Sequence, residues 1–149
     1  MPEDECLMCA TENTTAERIV FRDDLWAAEV LPDYEVPGWF ILRARRHADG
    51  ITDLSDDEAD ALGRRARDLI AAISDVTGAP TTYIMGFGEN HRHFHVLIAA
   101  RGDEIPTEKR GGNIVLLRTD QIDIQRRSTS PIVYEPPTDN PTDELVDHA

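Results

Sequence analysis

The most regular hydrophobic pattern in the chain predicts one long helix over residues 54–78. Apolar side chains recur there at every third or fourth position, and on a helix they form one stripe that consists of Leu62, Ala66, Leu69, Ile70 and Ile73. Ser55 and Glu58 have the spacing of a capping box, and Gly78 is a typical residue after a last helical turn. The segment is therefore predicted to bury one face against the rest of the protein.

Five shorter stretches rich in apolar and β-branched residues predict strands. Residues 18–32 contain two of them, separated by a polar turn at 22–24, and the others cover residues 39–45, 81–87 and 91–100. This order of elements predicts an α+β fold, an antiparallel five-stranded sheet with one long helix on a face.

The last third of the chain has a weaker pattern. Residues 101–113 are rich in turn formers, and the pattern over 114–124 does not decide between a further strand and a short helix. From about residue 128 the chain is rich in proline and acidic side chains and has little to bury. We therefore expect one domain over 1–127, followed by a tail over 128–149 without a fold of its own.

The predicted sheet has unpaired edge strands and few apolar side chains, so a symmetric homodimer is expected to cover part of its surface. Trp26 and Trp39 are expected in the core or at the subunit contact. The tail could dock on a partner subunit through Ile132, Val133 and Tyr134.

The net charge of −14 argues against general binding to nucleic-acid polymers or anionic lipid, although a local basic pocket could hold a small anion. Arg43, Arg45 and Arg46 are expected to form a solvated strand end, with a phosphate patch as the alternative. No apolar run approaches the roughly 20 residues of a membrane span, and the start MPEDEC lacks the features of a signal peptide. The prediction is a cytoplasmic protein without a membrane partner.

The two cysteines, Cys6 and Cys9, form a C-x-x-C pair. In a reducing compartment such a pair is more often a metal half-site or a redox pair than a structural disulfide. The loop residues that follow it do not resemble the helix start of a thioredoxin-type motif, which favours a metal. Two more ligands would complete a tetrahedral zinc site.

Three of the five histidines, His91, His93 and His95, stand at alternate positions. On an extended strand they would share one face at intervals of about 6.6 Å, while Phe94 and Val96 would point to the other face, under the helix. Either all three imidazoles line one metal site, or neighbouring imidazoles serve two adjacent sites.

The cysteine pair favours the second alternative. His47 at the end of the third strand and His91, the first of the three, could complete a Cys2His2 zinc site. Such a site fills all four coordination positions and is structural rather than catalytic. His93 and His95 would then be free for chemistry.

These two remaining imidazoles suit phosphoryl chemistry. A neutral imidazole attacks phosphorus when an acceptor holds its other nitrogen, and the resulting phosphoramidate hydrolyses in a second step. His93 could act in this way while His95 bonds a phosphate oxygen or the scissile oxygen. Donors for the developing negative charge could come from Arg92, Arg101 and the backbone amides of residues 88–90.

Four stretches of the sequence resemble motifs of the HIT (histidine triad) superfamily. HRHFHVLI is similar to its triad signature, VPGWFILRARRH to its Pro-Gly strand ending in basic residues and a histidine, LSDDEADALG to its helix start, and CLMC to its frequent N-terminal zinc pair. The matches occur in the right order over about residues 6–101. The resemblance implies an HIT-like fold and a homodimer that hydrolyses or transfers nucleoside monophosphates.

The resemblance also implies a role for each residue of the site. His93 would attack the α-phosphorus of a nucleoside phosphoramidate, a dinucleoside polyphosphate or a nucleotide sugar, and His95 would contact the phosphate. The implied zinc ligands are Cys6, Cys9, His47 and His91. A nucleotidyltransferase with the same covalent step, or a non-catalytic zinc-stapled protein that binds nucleotides or acts as a scaffold, is the alternative.

Three departures from the family pattern concern substrate contacts. Arg92 occupies a triad position that is normally apolar, where it could reshape the phosphate pocket, and it is expected to contact substrate. The short GEN connection leaves Asn90 as the expected polar contact. Leu31 stands where an acid usually binds the ribose, so Glu29 or Asp33 would have to serve.

Overall fold

The structure, a computed structural model, describes residues 5–30 and 36–116. Its strands are β1 (Ile19–Arg22), β2 (Trp26–Glu29), β3 (Trp39–Ala44), β4 (Thr81–Met85) and β5 (His95–Arg101). Its helices are α1 (Leu7–Ala10) and α2 (Asp56–Thr77), with 3-10 helices at Thr11–Asn13, Ala16–Arg18, Ile51–Asp53, Thr107–Lys109 and Gly111–Leu116. The strands form one antiparallel sheet in the order β1-β2-β3-β5-β4. The predicted α+β fold, with its five strands and long helix, is confirmed.

The long helix α2 begins and ends where the sequence predicts. The Ser55 hydroxyl accepts from the Glu58 amide, and the Glu58 carboxylate accepts in return from the Ser55 amide, which pairs donors that a helix start otherwise leaves free. Gly78 follows the helix in the left-handed conformation, with a φ of 65° that favours glycine. The buried apolar residues of its stripe are Ala66, Leu69 and Ile73.

Helix α2 covers one face of the sheet. The residues beneath it alternate along the two central strands, and they are Phe40, Leu42, Ala44, Ile98 and Ala100. Phe94 and Val96 pack on the same side, as the alternation predicts. Trp26 is fully buried, and its ring nitrogen donates to the Glu58 carbonyl at 3.1 Å. Strand β2 is thereby fixed to the start of the helix.

The opposite face of the sheet carries the N-terminal segment. Cys6 and Met8 pack against Ile41 of β3, and all three are buried. Trp39 is also buried on this side, beside Ala99 of β5. The packing places the cysteine pair directly on the two central strands.

Strand β5 begins at His95, four residues later than the predicted start at His91. The register with β3 ends at the pair of His95 with Arg43, and one further bond runs from the Ala44 amide to the Phe94 carbonyl at 3.1 Å. The Phe94 amide instead donates to the carbonyl of Ala48, beyond the end of β3, at 2.6 Å. The two-residue alternation of a strand therefore does not extend back to His91.

The end of the chain lies outside the described residues. This applies to the predicted domain boundary at 127 and to the tail with Ile132, Val133 and Tyr134. Residues 114–116, at the start of the undecided segment 114–124, belong to a 3-10 helix rather than a strand. In the described ranges, no helix combines the length and apolarity needed to cross a bilayer.

Candidate metal centre and the histidine beside it

The N-terminal segment brings its two cysteines together through one turn of helix. Cys6 is the N-cap of α1, and the Cys9 amide donates to the Cys6 sulfur at 3.3 Å. Residues three apart lie on the same side of a helical turn, so both sulfurs face one point.

Four side chains converge at this point: Cys6, Cys9, His47 and His93, whose ligand atoms all lie within 4.8 Å of one another. Nδ1 of His93 is 3.4 Å from each sulfur, and Nδ1 of His47 is 3.2 Å from the Cys9 sulfur. In a tetrahedral zinc site, bonds of about 2.3 Å to sulfur and about 2.05 Å to nitrogen separate these atoms by about 3.6 Å. The observed separations are only slightly shorter, so the four residues fit a zinc ion.

The second nitrogen of each imidazole defines its tautomer. Nε2 of His93 lies 2.6 Å from the carbonyl oxygen of Ala44, and Nε2 of His47 lies 3.1 Å from Oδ1 of Asp49. Both oxygens accept, so Nε2 carries the proton in each ring and Nδ1 turns its lone pair toward the sulfurs. Burial lowers the pKa of His93, which keeps that ring neutral. Two cysteine sulfurs and two imidazole nitrogens form a donor set typical of zinc.

The fourth member of this group is His93, whereas the sequence pattern predicts His91. His93 is fully buried and has both nitrogens engaged, so it does not fit the role of a free nucleophile. His91 lies in the irregular segment before β5, and it is outside the metal-binding group found among residues 5–30 and 36–116. The late start of β5 is the physical reason, because the alternation that aligned three histidines holds only within a strand. Cys6 and Cys9 come together with His47 as expected.

His95 lies next to this group but has a different environment. As the first residue of β5 it pairs with Arg43, and its side chain is half-buried. Its Nδ1 donates to the carbonyl oxygen of His93 at 2.6 Å. No hydrogen bond among the described residues involves Nε2, which therefore keeps an available lone pair. This is the arrangement that a nucleophilic imidazole requires.

A network of buried and partly buried ion pairs joins the N-terminal segment to the sheet. The Arg43 side chain has no exposed surface, and it bonds Glu29 at 2.8 Å and Glu12 at 3.0 Å. Glu12 also pairs with Arg45 at 3.1 Å, and Glu29 with Arg22 at 2.9 Å. Because Glu12 follows α1 directly, the network holds this segment on the sheet through contacts that do not involve a metal.

The three arginines at the end of β3 have carboxylate partners and differ in exposure. Arg43 is buried, and Arg45 and Arg46 each bond a carboxylate, from Glu12 and Glu58 respectively. The strand alternation indicates which side each arginine faces, but it contains no information on acids that arrive from distant segments. The expectation of a solvated strand end is therefore wrong for Arg43, whereas Arg46 keeps 53% of its side chain exposed and Arg45 is half-buried.

The suggested substrate contacts have different outcomes. Asn90 and Arg92 are exposed on the connection before β5, and their role stays a prediction. Arg101 lies at the opposite end of β5 from His95, about 20 Å along the strand, and bonds Thr81 instead. It is too distant to bind a phosphate that His95 attacks.

The suggested ribose-binding acids also differ. Glu29 is 2% exposed, and its carboxylate is occupied by Arg22 and Arg43, so it is not available to a ribose. Leu31 and Asp33 lie outside the described residues. A ribose contact from Asp33 therefore stays a prediction.

Neutralising Glu12 is expected to destabilise the protein. Burial acts to raise the pKa of Glu12, but hydrogen bonds and charges from Arg45 and Arg43 outweigh burial and lower the pKa to about 2. Glu12→Gln should lower the free energy of unfolding at pH 7 by about 1–3 kcal/mol, because the buried guanidinium of Arg43 loses one carboxylate partner. A depressed folded-state pKa means that this contribution is present above pH 4.5 and is lost as the pH falls towards 2.

Urea unfolding of chelator-treated wild type and Glu12→Gln at pH 7 and pH 3 measures both effects. The difference in unfolding free energy should be smaller at pH 3 than at pH 7. Glu108→Gln, the same change at an exposed position, is the control and should leave stability unchanged. An equal difference at both pH values would contradict a low pKa for Glu12.

No family model and no curated protein matches the sequence, whereas several solved structures resemble the fold. A hypothetical histidine triad nucleotide-binding protein from Sulfolobus tokodaii matches with a TM-score of 0.58 and 16% identity, over 96% of this chain and 88% of that chain. A zinc-bound histidine triad family protein from Mycobacterium smegmatis matches with a TM-score of 0.59 and 16% identity, over 84% and 91%. An HIT family hydrolase from Clostridium thermocellum gives 0.54 and 14%, over 70% and 96%.

These similarities concern the course of the backbone, since the sequence identities are low. The open five-stranded antiparallel sheet and the long helix α2 correspond to the architecture of these neighbours. The order of motifs in the sequence predicts the same architecture. The chain therefore has the histidine triad fold.

Proposed function

We propose that this protein is a nucleotide-processing enzyme that cleaves at the α-phosphorus of a nucleoside 5'-phosphoryl compound through a covalent nucleotide on His95. One observation carries the proposal: Nδ1 of His95 donates to the His93 carbonyl at 2.6 Å, which leaves Nε2 as the nucleophilic nitrogen. Nucleotide-binding and hydrolase proteins among the structural neighbours support this class of chemistry. The role that the triad motif implied for His93 thus moves two residues along the chain.

The proposed reaction has two steps. Nε2 of His95 forms a bond to the α-phosphorus while the bond from phosphorus to the leaving amine or phosphate breaks, and the leaving group takes the electron pair and a proton from water. Water then attacks phosphorus and gives a proton to solvent, while the bond between nitrogen and phosphorus breaks with its electron pair returning to Nε2, so that the nucleoside monophosphate leaves and the neutral imidazole is restored. The substrate class is a phosphoramidate, a dinucleoside polyphosphate or a nucleotide sugar.

Substrate binding is assigned to the connection before β5. Asn90 and Arg92 are exposed there, a few residues before His95. An amide and a guanidinium can donate to phosphate oxygens on which charge develops. A homodimer belongs to the same proposal, because β4 pairs with β5 alone among the described strands and its Ile84 is 53% exposed.

The metal has a structural role in this proposal. Cys6, Cys9, His47 and His93 would hold zinc, and a bound zinc stabilises the fold rather than polarising substrate, because four protein ligands leave no open position. The ring of His93 is fixed by its buried contact with Ala44. The carbonyl of the same residue orients His95, so the two sites are adjacent along the backbone.

Intact mass measurement tests the covalent step. Wild-type protein is mixed with adenosine and guanosine phosphoramidates, a dinucleoside polyphosphate and a nucleotide sugar, and each reaction is stopped in alkaline denaturant. We expect a mass gain of one nucleoside monophosphate, less water, for at least one substrate, together with release of free monophosphate. Incubation with nucleoside monophosphate alone is the control and should give no adduct.

The same experiment separates the alternatives. An adduct that persists until an acceptor alcohol or phosphate is added would identify a nucleotidyltransferase with the same first step. Nucleotide binding without adduct or turnover, for every substrate in the panel, would refute the enzyme and indicate a non-catalytic nucleotide-binding protein.

A further inference from the structure

The two metal-binding histidines are held in different ways. His93 donates from Nε2 to the backbone carbonyl of Ala44, whose position β3 fixes. His47 lies beyond the end of β3, and its Nε2 meets a side chain, the carboxylate of Asp49, at 3.1 Å. The orientation of the His47 ring thus depends on Asp49, which is not one of the four residues of the metal-binding group.

The backbone around Asp49 is well fixed. The carbonyl of Ala48, between His47 and Asp49, accepts from the Phe94 amide at 2.6 Å. Gly50, on the other side, donates to the Asp53 carboxylate at 3.2 Å in the cap of the 3-10 helix Ile51–Asp53. The backbone of Asp49 is therefore held by hydrogen bonds of the residues on both sides of it. Its carboxylate can bond the His47 ring without an additional loss of backbone entropy.

We propose that Asp49 is a positioning residue that sets the affinity of the metal site. Its carboxylate accepts the Nε2 proton of His47, which selects the tautomer whose Nδ1 lone pair points at the Cys9 sulfur, 3.2 Å away. A carboxylate behind a ligating imidazole also makes the ring a stronger donor, and loss of such a partner typically weakens metal binding about 10–100-fold. The half-exposed side chain of Asp49, at 48%, contributes little burial of its own.

Zinc affinity of the full chain tests this proposal without any nucleotide. Wild type, Asp49→Ala and Asp49→Asn compete for zinc with a chromophoric chelator under reducing conditions. We expect Asp49→Ala to bind zinc about 10–100-fold more weakly. Asp49→Asn should lie between the two, because an amide oxygen still accepts from Nε2 but has no charge.

Two comparisons make the result decisive. Asp103→Ala removes the same charge at a side chain that is 90% exposed, and it should leave zinc affinity unchanged. Thermal unfolding of the chelator-treated Asp49→Ala protein should match that of chelator-treated wild type. Equal zinc affinity for Asp49→Ala and Asp103→Ala would overturn the proposal, and so would a large loss of stability in the metal-free Asp49→Ala protein.

Discussion

Replacing His95 by alanine is expected to abolish the covalent nucleotide adduct and to lower turnover by at least about 1,000-fold, as loss of a nucleophile does. Zinc content and the unfolding temperature should stay close to wild type, because His95 is half-buried and lies outside the metal-binding group. Intact mass measurement reports the adduct, release of nucleoside monophosphate reports turnover, and a metal assay with thermal unfolding reports the fold.

Two neighbouring histidines serve as comparisons for this prediction. His91→Ala is the matched control, since it lies four residues before His95 and outside the metal-binding group, and it should keep both the adduct and the zinc. His93→Ala should lose zinc. If His95→Ala still formed the adduct while His93→Ala kept its zinc and lost the adduct, the attacking nitrogen would belong to His93 and our assignment would be wrong.

The regular elements could be predicted from the sequence because their determinants are local. The capping box of Ser55 and Glu58, the apolar stripe and Gly78 all lie within α2 or next to it. The five strands were likewise predictable from short apolar stretches. The start of β5 was not, because it depends on where the pairing with β3 stops, and that pairing joins strands far apart in the sequence.

The part of the metal site that could be predicted also has local determinants. Cys6 and Cys9 form a local pair, and His47 follows a predicted strand, so their convergence needs only the order of elements. The choice between His91 and His93 depends on the direction of each side chain in a segment without strand geometry. Because β5 starts only at His95, the direction of the His91 side chain does not follow the strand alternation, and His93 joins the cysteines instead.

Arg43 illustrates what sequence patterns omit. Its burial depends on Glu29 from β2 and Glu12 from the segment after α1, which lie 14 and 31 residues away. A single acid at the end of the apolar stretch Trp26–Glu29 was the available sign, because a buried carboxylate requires a cationic partner. The sign indicates that a partner exists but does not identify which arginine it is.

Removal of the metal is expected to cause the largest loss of stability. Free zinc at about a thousand times its dissociation constant raises the free energy of unfolding by about 4 kcal/mol, and chelation removes that stabilisation. Cys6→Ser takes away a ligand that is 2% exposed and should show the same loss together with weak zinc binding. Thermal unfolding under reducing conditions, with zinc content measured on the same samples, checks both expectations.

Zinc added back distinguishes the metal from the mutation, since it should restore the unfolding temperature of chelated wild type but not that of Cys6→Ser. Turnover should also fall on chelation, because the carbonyl that orients His95 belongs to the ligand His93. The fall should be partial, since the Glu12 network and the bond from His93 to Ala44 hold these segments without metal. If the chelated protein kept its unfolding temperature but lost all turnover, the metal would have to bind the substrate directly. That result would contradict a site closed by four protein ligands.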